Sequence, residues 1–109
     1  MAKHTIYQIP KSNRQLASRA VYYGISDSFT KSDAITAFAE NKYTKVADVE
    51  AESAKAAKLI INSDRSKAVT YSVLRNVSIG DIIHNTETNV YFIVGETTFD
   101  RIKIKVRIK

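Results

Sequence analysis

The sequence predicts an α+β protein, in which an N-terminal strand and helices precede a β-α unit and a C-terminal antiparallel sheet. Helix-start signals with apolar residues at helical spacing fall within residues 12–62. Residues 67–109 instead show short runs of β-branched and aromatic residues between turn signals. We expect a four-strand antiparallel meander there, with a rolled sheet or a small barrel as alternatives to an open one. A length of 109 residues fits a single domain, made of an N-terminal part (1–42) and a β-α-β-β-β-β core (43–109).

The first residues predict a strand followed by a helix. Residues 4–9 are rich in β-forming side chains and stop at Pro10, which cannot donate to a strand ladder. Residues 12–15 have the S-x-x-Q pattern of a capping box, and apolar residues then recur at helical spacing. We therefore expect a helix from near Asn13 to Gly24, because glycine suits a helix C-terminus.

The middle of the chain predicts a helix, a strand and a second helix. Residues 30–33 form another capping box, T-x-x-D, and the helix that follows is expected to end near Asn41. Residues 43–51 alternate between two sets of side chains and predict a strand. Ser53 then begins an Ala-rich helix over residues 54–61, which we expect to cover the sheet.

The C-terminal part predicts four strands, at residues 67–74, 79–84, 89–95 and 101–109. Residues 85–88 have the length of a hairpin connection. Gly80 suits a tight turn with a positive φ, and Asp81 suits a carboxylate that accepts a backbone N–H of that turn. A binding point made by Ser78 and Asp81 is the alternative interpretation. The expected core comprises Leu59, Ile60, Val73, Ile82, Tyr91, Ile93, Ile102 and Ile104.

The composition favours a small basic binding protein over an enzyme. Seventeen Lys and Arg residues against eleven Asp and Glu residues give a net charge of +6. The chain has no cysteine, which excludes disulfides, thiolate nucleophiles and Cys-ligated metals. His4 and His84 belong to no metal-binding motif, and no phosphate-binding glycine loop occurs. We therefore expect no catalytic residue, no cofactor and no metal, and we expect His84 to be a polar surface residue.

Three carboxylates in the middle of the chain offer one metal-site alternative. Asp48, Glu50 and Glu52 would share a face of the strand predicted at residues 43–51, about 6–7 Å apart. Such a row could hold a hard divalent cation if further oxygens joined it. The simpler interpretation, which we prefer, is a solvent-facing side opposite a buried one.

The C-terminal strand carries the sharpest signal of a binding surface. Apolar residues alternate there with cations, and same-face residues lie about 6.6–6.8 Å apart, similar to the spacing of phosphates along a nucleic-acid strand. With the cations near the N-terminus they form a candidate nucleic-acid-binding set: Lys11, Arg14, Arg19, Arg101, Lys103, Lys105 and Arg107. Protection of an exposed edge strand against aggregation is the competing explanation.

A DNA-binding helical motif is a weaker alternative. In a helix-turn-helix, Thr30 and Asp33 would occupy positions that need apolar residues. A winged-helix arrangement would use the hairpin at residues 85–88, but it would also require a helix where residues 43–52 alternate.

Three segments resemble small uncharacterised proteins encoded by phages and plasmids. They are residues 43–51 (YTKVADVEA), 74–83 (LRNVSIGDII) and 89–95 (NVYFIVG). Those proteins carry a K-V-A-x-V-x-A strand, a helix, an R-S-x-S-x-G-D-x-I turn and a Y-x-V strand. Here Asn76 replaces the serine of the turn motif, and the tryptophan after the helix is missing. The resemblance, over about residues 43–104, implies the β-α-β-β-β order and an accessory protein of a mobile element, without a known activity.

Two hypotheses about function follow. In the first, the chain is a non-enzymatic phage-type accessory protein that binds nucleic acid or a nucleoprotein through a basic face. In the second, it is a proteinaceous inhibitor that docks on a host protein and blocks it, for host takeover or against host defence. No apolar run approaches 18 residues and the first residues form no apolar signal segment. We therefore expect no membrane partner and a cytoplasmic location, the host cytoplasm if the protein is phage-encoded.

Overall fold

A computed structural model describes residues 1–104 and confirms the α+β class, with one six-stranded antiparallel sheet and helices on both of its faces. The strands are β1 (Ala2–Gln8), β2 (Thr44–Ala51), β3 (Ala68–Thr70), β4 (Ile82–Asn85), β5 (Val90–Val94) and β6 (Phe99–Ile102). The helices are α1 (Arg14–Ala20), α2 (Lys31–Ala39) and α3 (Ala54–Ser63), followed by a 3₁₀ turn at Arg65–Lys67. None of the helices in this part of the chain is long and apolar enough to cross a membrane.

The strand order is β3-β2-β1-β4-β5-β6, so the first strand of the chain lies in the middle of the sheet. This order corrects the predicted four-strand meander: β3 pairs with β2 at one edge, and only β4, β5 and β6 form a meander. The sheet is also not closed into a barrel, because β3 and β6 are its two edges among the described strands. The predicted last strand, residues 101–109, is seen only to Ile102, and residues 105–109 lie outside the described part.

One side of the sheet, the α3 face, is covered by α3. Ala54, Ala57 and Ile61 share one side of this helix and are buried. They pack against buried side chains of the sheet, namely Ile6, Val46, Ala47, Val49, Ala51, Ile83 and Val94. Because many of these residues are alanine or valine, the helix can lie close to the strands.

The other side of the sheet, the α2 face, is covered by α1, α2 and the loop between them. Phe38 of α2 lies edge-on to Tyr7 and to Tyr91, with ring centroids 4.8 and 5.4 Å apart. The buried members of this second cluster include Ile9, Ala20, Phe29, Ala34, Ala37, Ile82, Ile93 and Ile102. Neighbouring residues of one strand, such as Ile82 and Ile83, therefore serve different clusters.

The expected core is right for the meander strands and wrong at two positions. Ile82, Tyr91, Ile93 and Ile102 are buried, and Ile60 and Ile104 are partly buried against the clusters. Leu59 is 60% exposed because it lies on the side of α3 opposite to the three buried residues. Val73 is 82% exposed because β3 ends at Thr70, before the predicted strand end at residue 74.

Local capping signals predicted two of the three helix starts. Thr30 and Asp33 form a reciprocal capping box at the start of α2, and the Ser53 hydroxyl accepts the N–H of Ala56 at the start of α3. The capping box predicted at residues 12–15 is wrong, since α1 follows Asn13, which makes no side-chain cap. This helix also ends at Ala20 rather than near Gly24, because the next residues form tight turns with N–H bonds three residues back.

The turn before β4 agrees with its prediction. Gly80 has a φ of 92°, and the Ser78 N–H donates to Asp81 Oδ2 over 3.0 Å. The Gly80 N–H donates to the Val94 carbonyl, and the Gly80 carbonyl accepts the Tyr43 hydroxyl over 2.6 Å. Gly80 is therefore hydrogen-bonded both to β5, through Val94, and to the residue just before β2, Tyr43.

We predict that Gly80→Ala destabilises the protein far more than Gly24→Ala does. Both glycines have a positive φ, so an alanine at either position costs about 1–2 kcal/mol for the backbone alone. At Gly80 the new Cβ would also lie 2.4 Å from the Ala20 carbonyl oxygen, whereas at Gly24 nothing lies within 4 Å. Urea unfolding measures both losses of free energy, and equal losses would contradict the close approach of Ala20 to the turn.

Candidate nucleic-acid interface

A groove of about 410 Å³ lies where β5 begins and β6 ends. This β5–β6 groove is lined by Asn89, Val90, Tyr91, Arg101, Ile102, Lys103 and Ile104. Arg101 and Lys103 are exposed while Ile102 between them is buried, so the predicted alternation is seen in the described part of this segment. Two positive charges therefore border the groove, and no carboxylate lines it.

An aromatic pair lies beside the groove. The His84 and Tyr91 rings are stacked, with centroids 3.9 Å apart and an interplanar angle of 3°. His84 Nε2 is also within hydrogen-bonding distance, 2.9 Å, of Asn89 Oδ1. Burial lowers the pKa of His84 and so favours the neutral ring, although the hydrogen bond to Asn89 acts in the opposite direction. His84 is half-buried and is not the simple surface residue that we expected.

The pair depends on the register of the β4–β5 hairpin. His84 lies opposite Tyr91, and Asn85 lies opposite Val90, so the loop is 86–89 rather than the predicted 85–88. Asn89 closes this loop with a φ of 55°, a conformation that asparagine tolerates better than most residues. The predicted connection placed His84 opposite Asn89, and the sequence therefore did not reveal the stack.

The predicted cations do not form one continuous surface. Arg101 pairs with Phe92, which packs on the α3 face, whereas Arg14 and Arg19 belong to α1 on the α2 face. Lys11 lines a different cavity, at the other end of β1. Of the seven predicted binding residues, Arg101 and Lys103 are the two that meet at the groove, and Lys105 and Arg107 lie outside the described residues.

Carboxylates neutralise few of the cations. Arg19 lies 3.7 Å from Asp33 and its Nε also donates to the Ser28 carbonyl, so its charge is partly engaged. Within residues 1–104 this is the one ion pair closer than 4 Å. Arg101 and Lys103 therefore present uncompensated charge, which attracts polyanions.

The acidic row of residues 48–52 faces solvent at Glu50 and Glu52, as expected, but not at Asp48, where the interpretation is corrected. Asp48 is buried and accepts the Thr5 hydroxyl over 2.6 Å and the Tyr71 hydroxyl over 2.5 Å. Burial alone would raise the pKa of Asp48, but these hydrogen bonds, with Lys45 and Lys3 nearby, hold the pKa below its usual value. Glu50 and Glu52 are exposed, and no group of three side chains suited to a metal occurs within the described residues.

A second buried carboxyl joins β1 to the segment before β4. The Gln8 amide nitrogen donates to Asp81 Oδ2 over 3.1 Å and to the Arg75 carbonyl over 3.0 Å, and the amide oxygen accepts the Arg75 N–H. Burial raises the pKa of Asp81 to about 7, although bonds from Ser78 and Gln8 act in the opposite direction. Asp81 was predicted as a turn residue. Gln8 is 73 positions away in the sequence, so no local pattern indicated that the two side chains are in contact.

No protein-family model, curated protein or solved structure matches this chain. Its function is therefore inferred from the geometry of its own residues.

We predict that Asp81→Asn flattens the dependence of stability on pH between about pH 4 and pH 7. An unfolded aspartate titrates near pH 3.9, and Asp81 titrates at about 7 in the folded chain. The folded state therefore binds more protons over this range, so the free energy of unfolding falls as the pH rises. Asparagine does not titrate, so this contribution disappears.

The measurement is urea unfolding of the parent and the variant at several pH values, with the exposed Asp27→Asn as a control of equal charge change. A parent and an Asp81→Asn variant with parallel pH profiles would contradict the raised pKa.

Proposed function

We propose that the protein acts by binding a nucleic acid at the β5–β6 groove, with no catalytic step. One observation carries the proposal: two exposed cations without a carboxylate partner border a groove beside a stacked aromatic pair. Proteins that bind a nucleic-acid strand commonly combine cations for the backbone with flat rings for the bases.

The two kinds of side chain have different roles in this proposal. Arg101 and Lys103 contact successive phosphates, since residues two apart on an extended chain are separated by about 6.6–6.8 Å. Contacts of this kind give affinity without sequence specificity. His84, held flat against Tyr91, offers a ring on which a base stacks. This stack lies on the α2 face and Arg101 lies on the α3 face, so in this proposal the bound strand crosses the edge strand β6, with phosphates on the cations and a base on the stack.

The net charge supports nucleic-acid binding, whereas the resemblance does not choose between the two candidate functions. The net charge of +6 favours association with polyanions generally. The resemblance of residues 43–104 to phage- and plasmid-encoded proteins supports an accessory role in the host cytoplasm, and this role fits a nucleic-acid partner as well as a host-protein partner.

We predict that Arg101→Gln/Lys103→Gln weakens binding to single-stranded DNA and RNA and lowers the slope of log affinity against log salt by about two, one for each phosphate contact. Stability should change little, because exposed substitutions usually alter it by less than about 0.5 kcal/mol each. Fluorescence anisotropy at several salt concentrations measures both affinity and slope.

The matched control is Lys31→Gln/Lys67→Gln, which removes two exposed cations from α2 and from the turn before β3. It should keep most of the affinity. Equal losses in the two double variants would mean that net charge alone, and not the groove, determines binding.

A second candidate function, docking on a host protein, is favoured by one observation at the opposite edge of the sheet. Val69 and Tyr71 are 60% and 54% exposed there, on and just after the edge strand β3, and Val73 beside them is also exposed. Exposed apolar residues on an edge strand are typical of surfaces that add a partner's strand.

Affinity capture from a bacterial lysate, with and without nuclease, separates the two candidates. Nucleic-acid binding predicts that captured proteins disappear after nuclease treatment. Protein docking predicts one partner that resists nuclease and is lost from the Val69→Gln variant, whose edge is less apolar.

A further inference from the structure

A partly enclosed cavity lies at the corner of the sheet where β1 ends and β2 begins. This corner cavity measures about 360 Å³, within the range of small-molecule sites. It is lined by Gln8, Pro10, Lys11, Thr44, Val46, Ser72, Val73 and Arg75. It is separate from the β5–β6 groove and shares no residue with it.

The path of the chain after β3 builds this cavity. The Tyr71 N–H donates to the Val46 carbonyl over 2.8 Å, which is the last backbone bond between this segment and β2. The chain then leaves β2 and returns to β1, where the Arg75 N–H donates to Gln8 Oε1 over 3.1 Å. Hydrogen bonds therefore attach this segment to β2 at Tyr71 and to β1 at Arg75. The cavity lies beside the residues between these two attachments.

The chemistry of the walls selects the ligand. Val46, Val73 and Pro10 provide apolar contact, while Lys11 and Arg75 provide positive charge. No carboxylate lines the cavity, and within the described part of the chain none lies within 4 Å of either cation.

One of the other polar side chains, that of Gln8, is already occupied. The Gln8 side-chain amide is hydrogen-bonded to Arg75 and to Asp81, which holds this side chain in place in the cavity wall. The Arg75 guanidinium donates one N–H to the Ile9 carbonyl. A guanidinium has five N–H donors, so others remain for a ligand. The groups left to meet a ligand are therefore the two cations and the hydroxyls of Thr44 and Ser72, together with the apolar walls.

We propose that the corner cavity binds a small organic carboxylate with an apolar body. The carboxylate lies between Lys11 and Arg75, and the apolar body lies between Val46 and Val73. Arginine suits this role because its planar fork can donate two parallel N–H bonds to a carboxylate. The proposal is independent of nucleic-acid binding.

Octanoate is the probe, and 1-octanol is its neutral counterpart. Isothermal titration calorimetry gives the affinity, and the Val46 methyl signals in NMR spectra report binding at the cavity. We expect octanoate to bind the parent protein and to shift these signals. Octanol should bind at least about tenfold more weakly, since hydrogen bonds to a charged group contribute about 1.5–3 kcal/mol.

Three variants test the assignment of residues. Lys11→Gln should weaken octanoate about tenfold without changing the affinity for octanol. Val73→Ser should weaken both ligands, and the high exposure of Val73 protects the fold from this change. Lys55→Gln, an exposed cation on α3, is the matched control and should bind as the parent does. Arg101→Gln/Lys103→Gln should also keep octanoate binding, which separates this proposal from the proposed function.

Several outcomes would overturn the proposal. They are an absence of octanoate binding at millimolar concentration, equal affinities for octanoate and octanol, or undiminished octanoate binding by Lys11→Gln. Signal changes confined to residues outside the cavity would overturn it as well.

Discussion

The central position of β1 in the sheet determines where the other strands and both helical layers lie. This strand pairs with β2 on one side and with β4 on the other, and among the described strands it alone joins the two halves of the sheet. Its alternate residues serve both faces, since Ile6 packs in the cluster under α3 and Tyr7 packs against Phe38 of α2. Both helical layers are therefore positioned by one strand, whose partners come from about 40 and 80 residues further along the chain.

The polar groups buried along β1 explain how its two sides are held. Thr5 donates to Asp48 of β2, and Gln8 donates to Asp81 before β4. The two carboxyls differ, because hydrogen bonds and lysines lower the pKa of Asp48 whereas burial raises the pKa of Asp81 to about 7. The Asp48 side should weaken in acid, and the Asp81 side should weaken as the pH rises towards neutrality.

Sequence reasoning succeeded where structure is determined locally. The capping residues Thr30 and Ser53 and the strand at residues 44–51 were predicted because the signals lie within a few positions of each element. The partner of β3 was predicted wrongly, since strand pairing depends on contacts distant in sequence. The burial of Asp48 was missed for the same reason. For the candidate site, the alternation at Arg101 and Lys103 was predicted. The stack of His84 on Tyr91 was not, because the hairpin loop lies one residue later than predicted, which makes Tyr91 rather than Asn89 the partner of His84.

In the proposed function, the β5–β6 groove rather than the edge at β3 meets the partner. NMR spectra of the ¹⁵N-labelled protein, titrated with a short single-stranded DNA, show which of these two surfaces binds. We expect the amide signals of residues 89–91 and 101–103, and of His84, to change most and to change together. Changes concentrated at residues 69–73, or no change at low salt, would contradict it.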